Sequence, residues 1–210
     1  DDYVEQYTES YLQAHPAFAV VQGRHEFDGQ LPDWSRAGID REIARLKAHR
    51  TKATAFQTDN LTQRQQFERA YVLAIIDRTL FWLEEAEWPY RSAAFYFDWL
   101  TDSLDPSPYI TLTYAPLAQR MRAYTRYAEQ VPTAVDQIRD NLRMPMARTQ
   151  LQYAIDSFGG YATYFAKDVP SVFAAVEDTQ LQAAFMRANS AAAAAMAELT
   201  IYLKAQIPNA

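Results

Sequence analysis

The chain has 210 residues, of which 49% are hydrophobic and 22% charged, with a formal net charge of −6 and no cysteine. This length and hydrophobic content predict one domain with a substantial core. The negative charge argues against nucleic acid and anionic membranes as partners, because no surplus of cations is present to neutralise phosphates. The lack of cysteine excludes disulfides, cysteine nucleophiles and thiolate metal sites.

The composition also predicts the fold class, since Ala, Leu, Gln, Glu and Arg are plentiful while Val and Ile are few. We predict an all-α fold, with one domain over residues 1–210 forming an irregular bundle of about seven to nine helices. No run of 18 apolar residues occurs, and Asp1-Asp2-Tyr3 does not begin a signal peptide. We therefore expect a soluble product with no membrane span.

The N-terminal third predicts three helices and one loop. Tyrosines four residues apart indicate a first helix that ends before Pro16, and Pro16 opens a second helix that stops at Gly23. The segment Gly23–Ser35 is predicted to be an irregular loop. Ser35 or Asp40 then caps a third helix, whose charged residues predict a solvated surface position.

The longest uninterrupted helical pattern runs from Thr62, a predicted N-cap, to the residue before Pro89. Between Ala70 and Ile76 it is apolar nearly all the way round, which predicts a central helix wrapped by others.

Three charged residues on that helix, Asp77, Arg78 and Glu84, predict an internal ion pair. Two carboxylates can also perform acid–base catalysis if one is held near neutral, but no hydrophobic wall in the sequence indicates this. We favour a structural network.

An aromatic-rich helix is predicted from Arg91 to Leu104. Trp88, Tyr96 and the rings up to Trp99 would suit a binding groove, although core packing is the commoner place for such a cluster.

The C-terminal half predicts a helical hairpin of residues 117–127 and 132–142, with Pro132 opening the second helix. Two further helices are predicted, over residues 149–165 and 178–207.

Three histidines, His15, His25 and His49, are the candidate metal ligands, and their spacing fits no metal motif. His25-Glu26 resembles the start of His-Glu-x-x-His, but the second histidine position is occupied by Gly29. His25 and Asp28 could bind a polar end of a substrate or brace a neighbouring domain; alternatively, His25 caps helix carbonyls and Asp28 makes a local turn bond. We assign no catalytic residue and no metal ligand, because no nucleophile with a base and no phosphate loop is present.

The order of short motifs resembles a large bacterial family, domain of unknown function 885, over nearly the whole chain. The matching pieces are His15-Pro16, Gly23-Arg24-His25 with Phe27-Asp28, Leu31-Pro32-Asp33 with Ser35, Leu83-Glu84 and Trp88, Tyr114-Ala115-Pro116-Leu117 with Arg120, Pro132, and Asn141-Leu142. One departure is Arg91-Ser92-Ala93, where the family tends to have Asn-Pro.

The resemblance implies a zinc metallopeptidase with a helical N-terminal half like this chain and a C-terminal catalytic half carrying His-Glu-x-x-x-Pro-Gly-His. That motif is absent here, so the resemblance implies no cofactor in this chain and zinc only in the full-length protein. It also implies that His25 and Asp28 face the cleft of the complete protein and bind substrate or brace the catalytic half. We add Arg24, Trp88 and Tyr96 as candidate residues for the same role. The expected location is the bacterial periplasm or cell envelope rather than the cytoplasm.

We therefore expect the N-terminal, cleft-forming domain of a zinc-dependent peptidase, catalytically incompetent alone, whose partners are the missing C-terminal half and a peptide substrate. The alternative is a non-enzymatic helical binding module of the cell envelope that recognises a peptide or partner helix. A severed half would carry a large exposed apolar face and dimerise through it, whereas a complete module would have a small concave patch.

Overall fold

The computed structural model describes residues 2–97 and 103–209. The predicted all-α class is confirmed, and no strand occurs in these ranges. None of the described helices has the length and hydropathy needed to cross a membrane. The helices are α1 (Asp2–Ala14), α2 (Pro16–Val21), α3 (Arg36–Ala55), α4 (Gln63–Leu80), α5 (Trp88–Arg91), α6 (Ser107–Thr111), α7 (Leu117–Asn141), α8 (Arg148–Lys167), α9 (Val169–Phe173) and α10 (Thr179–Lys204).

The centre of the core is formed by α7, α8 and α10, with α10 lying along both other helices. Buried aromatic rings from all three helices meet there, because apolar residues recur at helical spacing along each one. A polar link fixes their register: Tyr124 donates to Asn189 Oδ1 at 2.6 Å, and Asn189 Nδ2 donates to the Phe165 carbonyl at 2.7 Å. The largest fully buried side chains here are Tyr124, Tyr127, Phe158, Phe165 and Phe185.

The predicted hairpin between residues 117 and 142 is wrong, because α7 runs straight through Pro132. Proline inside a helix removes one backbone hydrogen bond and costs about 3 kcal/mol. Val131, Val135 and Ile138 beside it are buried, and each contributes about 1.5–3 kcal/mol by leaving water. Burial therefore outweighs the local break.

The predicted central position of α4 is also wrong. This helix lies at the edge, packed on α3 through Val72 and Ile76, while its opposite face is exposed. The Thr62 N-cap is confirmed as a capping box with Gln65. After Leu80 the helix widens into a π-helical turn, Phe81–Glu85.

The expected internal ion pair on α4 is replaced by two surface pairs with α3. Asp77 accepts from Arg50 at 2.6 Å and Glu84 accepts from Lys47 at 2.5 Å, and all four residues are exposed. Both carboxylates point toward the cationic side of α3 and remain in water, so burial imposes no need for an internal partner.

The part of the predicted Arg91–Leu104 aromatic helix that the structure describes is not one continuous helix. The short helix α5 is followed by a 3₁₀ turn over Ala93–Phe97, and Trp99 lies outside the described residues. The turn is stabilised by burial of Phe95 and Tyr96.

Candidate functional site

A cleft of about 310 Å³ opens between the α1–α2 junction, the loop Gln30–Trp34 and the first half of α3. We call it the His15–Glu42 cleft. Its floor is apolar, formed by Trp34, Ile39, Leu83 and Phe95, and polar side chains stand along its walls. An apolar floor with a few convergent polar groups is typical of a small-molecule or side-chain binding site.

The charged wall of the cleft is the group His15, Glu42 and Arg45. Arg45 donates two hydrogen bonds of 2.7 Å to the Glu42 carboxylate, and His15 Nε2 lies 3.5 Å from Glu42 Oε1. Burial alone would raise the pKa of Glu42, but the hydrogen bonds and charges of Arg45 and His15 outweigh it and lower the pKa to about 2. Glu42 is therefore an anion throughout the physiological range.

Arg45 also connects this wall to α1. Its Nη1 donates to Ser10 Oγ at 3.2 Å, and its guanidinium lies 6.0 Å from the centre of the Tyr7 ring. His49 Nε2 is 3.1 Å from the same Ser10 oxygen. One arginine thus holds the carboxylate in place and joins α3 to α1.

The opposite wall of the cleft, the loop Gln30–Trp34, is fastened to one face of α7. Leu31 N–H donates to Gln130 Oε1 at 3.3 Å, and Trp34 N–H donates to Gln137 Oε1 at 3.0 Å. Asn141 Nδ2 donates to the Trp34 carbonyl at 2.6 Å. Amide side chains spaced along α7 thus satisfy a loop backbone that has no secondary-structure partners of its own.

At the rim of the cleft, Asp33 pairs with Arg41, and both side chains are well exposed. The Asp33 Oδ1 atom also accepts from the Ser35 N–H and from Gln137 Nε2, each at 2.9 Å. Asp33 thereby links the loop, the start of α3 and α7. The predicted Ser35 cap is confirmed, with its hydroxyl accepting from Gly38 N–H at 3.1 Å.

The predicted residues His25 and Asp28 do lie together, but beside the cleft rather than in it. His25 Nδ1 is 3.2 Å from Asp28 Oδ1, and the His25 ring stacks on Tyr114 with 3.8 Å between centroids. Tyr114 donates to Asp28 Oδ2 at 3.0 Å. Burial, and then this hydrogen bond, raise the pKa of Tyr114 well above its usual value.

The buried Asp28 carboxylate and its neighbours anchor the loop at its start. Arg126 donates to the Asp28 carbonyl at 3.2 Å, and Gly29 N–H donates to the Tyr109 hydroxyl at 2.9 Å. The adjoining Gly29 has φ +81° and approaches α7 closely. The cluster therefore fixes the start of the cleft-forming loop against α7.

The other three predicted residues lie apart from this cluster. Arg24 is half-buried and pairs with Glu9 and Glu26. Trp88 is half-buried, and Tyr96 is fully buried in the core, donating to the Pro89 carbonyl at 2.8 Å. None of the three lines the cleft.

Glu42 and Arg45 are not among the predicted site residues, because the charges of their helix predict a solvated surface. A signal was present: Glu42 lies three residues after the buried Ile39 and four before the buried Leu46, on the apolar stripe of α3. A carboxylate on such a stripe needs a partner. Arg45, three residues on, is the nearest candidate.

The fold of this chain is similar to that of a protein of known structure. A solved structure of a putative lipoprotein of unknown function from Shewanella oneidensis superposes with a TM-score of 0.87 at 20% sequence identity. The match covers 98% of this chain, which spans 37% of the length of that chain. No curated protein matches the sequence. The profile described as "Bacterial protein of unknown function (DUF885)" matches residues 16–210, and the chain therefore belongs to the DUF885 family.

Proposed function

We propose that this chain is the N-terminal, cleft-forming domain of a larger zinc-dependent peptidase, and that it supplies substrate-binding walls but no catalytic group. The observation that carries the proposal is the length relation: the same fold accounts for 98% of this chain but 37% of the chain of the Shewanella protein. A domain that is one part of a longer enzyme is expected to contribute binding surface, since catalytic sites are commonly built between domains.

The residues that the structure describes do not fit a zinc site. Among the described residues, no group of three or more His, Asp or Glu side chains is arranged to hold a metal ion, whereas zinc sites use three or four such ligands. His15, the imidazole nearest a carboxylate in the cleft, faces Glu42, which Arg45 already occupies. Zinc would therefore be held by polypeptide outside the described residues.

Within this proposal, the His25–Asp28 pair positions the cleft wall for substrate or braces the catalytic half. The pair anchors the loop that forms one wall of the cleft, and the His25 imidazole is one-third exposed, so it is accessible to a neighbouring domain. In the full-length protein, His25→Ala should lower kcat/KM while leaving the melting temperature nearly unchanged. Equal losses of turnover and stability would make His25 a purely structural residue.

An envelope location is part of the same proposal. It is supported by the description of the Shewanella protein as a putative lipoprotein, and it is tested by fractionating the source cells.

The deciding experiment is the intact mass of the endogenous protein. A product at least twice the 24.1 kDa of this chain that contains zinc and cleaves peptides, with activity lost on chelation, supports the proposal. A product that ends near 24.1 kDa overturns it.

The second candidate is a non-enzymatic helical binding module of the cell envelope. It is favoured by the His15–Glu42 cleft, which combines an apolar floor with polar walls and has no metal-ligand group among the described residues. A short endogenous product that binds peptides without cleaving them would support this candidate.

A further inference from the structure

One face of α4 and the π-helical turn after it is aromatic and exposed. Phe67 is 69% exposed, Tyr71 60%, Phe81 52% and Trp82 41%. Ala74 and Arg78, both exposed, complete the row. We call these six residues the α4 aromatic stripe.

The stripe is continuous because its members recur every three or four residues, which places them on one side of a helix. From Phe67 to Phe81 it extends about 21 Å along the axis. The opposite side of α4 carries Val72 and Ile76, which are already buried against the rest of the chain. A helix that is apolar on both sides is normally covered on both sides, and contiguous exposed rings mark an interaction surface.

Four of the six stripe residues form complementary pairs when the helix is reversed, whereas Phe81 falls opposite Glu68. Counted outward from the midpoint between Ala74 and Ile75, Tyr71 lies as far in one direction as Arg78 in the other. Phe67 and Trp82 form the next such pair. The small Ala74 lies beside the midpoint, where two helices that cross must approach most closely.

We propose that the α4 aromatic stripe is the interface of a two-fold homodimer, in which α4 packs antiparallel on α4 of a second copy. In that register each Tyr71 ring faces the Arg78 guanidinium of the second copy, which makes two cation–π contacts. Phe67 of one copy meets Trp82 of the other at both ends of the interface, and edge-to-face ring pairs stabilise such contacts beyond their area. A two-fold interface repeats every contact, so each favourable pair counts twice.

Charges beside the stripe fit the same register. Arg64 is as far from the midpoint as Glu85 in the opposite direction, so the two-fold axis brings opposite charges together at each end. Within residues 2–97 and 103–209, neither Arg78 nor Glu85 forms an ion pair. Arg64 pairs with Glu68 on its own helix, and 84% of its side chain is exposed. The proposal does not depend on the proposed enzymatic function.

The first test places charge at the axis. Sedimentation equilibrium should show a dimer for the unmodified chain, and Ala74→Glu should weaken it by about 100-fold or more, because two carboxylates would meet at the centre of the interface. Ala194→Glu, on an exposed position of α10, is the matched control and should leave the dimer unchanged. Circular dichroism checks that both variants remain helical. The proposal is wrong if the unmodified chain is still monomeric at 100-fold the concentration used for the variants. It is also wrong if the dimer is insensitive to Ala74→Glu.

The second test is specific to the antiparallel register. Arg64→Glu and Glu85→Arg should each weaken dimerisation about tenfold, because each creates two like-charge contacts. The double variant exchanges the two charges and should restore the unmodified affinity. Additive weakening in the double variant overturns the register. If the stripe instead covers the remainder of a longer family protein, that protein will be monomeric and Ala74→Glu will lower its melting temperature.

Discussion

Asn141 on α7 donates from Nδ2 to the Trp34 carbonyl at 2.6 Å across 107 residues of sequence. The same amide donates to the Tyr96 hydroxyl at 3.1 Å. Asn141, Trp34 and Tyr96 are all buried. One side chain therefore joins the cleft wall, the core aromatic turn and the end of the central helix.

Replacing Asn141 by Leu should destabilise the fold by about 2–4 kcal/mol, because the Trp34 carbonyl and the Tyr96 hydroxyl would each lose a buried donor. In a domain of this size that corresponds to a fall in Tm of about 5–10 °C, measurable by calorimetry. Asn60→Ala, at an exposed position in a 3₁₀ turn, is the control and should change Tm by little. A fall of the same size for both variants would contradict the bridging role of Asn141.

Gly23 and Gly29, in the first part of the loop Gly23–Ser35, both have positive φ but different surroundings. Gly23 has φ +85° with nothing within 4 Å of an added Cβ. Gly29 has φ +81°, and an added Cβ would lie 2.7 Å from both the Ala123 carbonyl oxygen and Arg126 Cβ. Gly23→Ala should cost about 1–2 kcal/mol from the left-handed backbone alone. Gly29→Ala should cost about 2–5 kcal/mol, since the overpacking against α7 adds to it.

Urea unfolding of the two alanine variants measures this difference directly. Equal losses of unfolding free energy would mean that the loop moves away from α7 without cost. Its close packing on α7 would then not hold the cleft wall in place.

Helix ends were predictable from the sequence where the decisive contacts are local. The Ser35 cap and the Thr62–Gln65 capping box involve residues three apart, so the chain itself brings donor and acceptor together. The prediction at Pro132 is wrong because the local rule starts a new helix at a proline, whereas burial of the neighbouring α7 residues keeps one helix continuous through it. The aromatic face of α4 predicted burial that the described residues do not provide.

In the candidate site too, contacts between residues close in sequence are predictable and contacts between distant elements are not. His25 and Asp28 are three residues apart, so the chain itself brings them together, while their role stays a prediction. Glu42 meets His15 across 27 positions only because α1, α2 and α3 fold together. The sequence indicates that Glu42 needs a partner and that Arg45 is near, but it contains no signal that His15 joins them. Tyr114, which stacks on His25, lies still farther along the chain.

Two buried tyrosine hydroxyls provide a further test, because their surroundings differ. Tyr7 Oη is buried with no hydrogen-bond partner among the described residues, whereas Tyr96 Oη donates to the Pro89 carbonyl at 2.8 Å. Tyr7→Phe should leave stability unchanged or raise it by about 1–2 kcal/mol, since an unsatisfied polar group is removed. Tyr96→Phe should lower it by about 1–2 kcal/mol. Chemical denaturation of both variants under the same conditions decides; destabilisation by Tyr7→Phe would show that its hydroxyl has a partner.

Because the pKa of Glu42 is lowered in the folded chain, the contribution of this carboxylate to folding stability falls as the pH is lowered. It is about 2 in the folded chain against an ordinary value of 4.5, so the folded state binds the proton less tightly than the unfolded state. The carboxylate therefore contributes stability above pH 4.5, on the order of 3 kcal/mol, and this contribution is lost as the pH falls towards 2.

Glu42→Gln should consequently destabilise the chain at pH 7 by about 3–5 kcal/mol, because Arg45 would be left buried without a counter-charge. The difference between Glu42→Gln and the unmodified chain should shrink between pH 4.5 and 2, where the carboxyl of the unmodified chain also becomes neutral. Urea titrations of both proteins across this range measure the difference, and other carboxylates cancel because they are common to both. Glu198→Gln, at an exposed position of α10, should follow the unmodified chain at every pH. A stability difference for Glu42→Gln that stays constant from pH 7 to 2 would mean that Arg45 and His15 do not hold the carboxylate in the charged state.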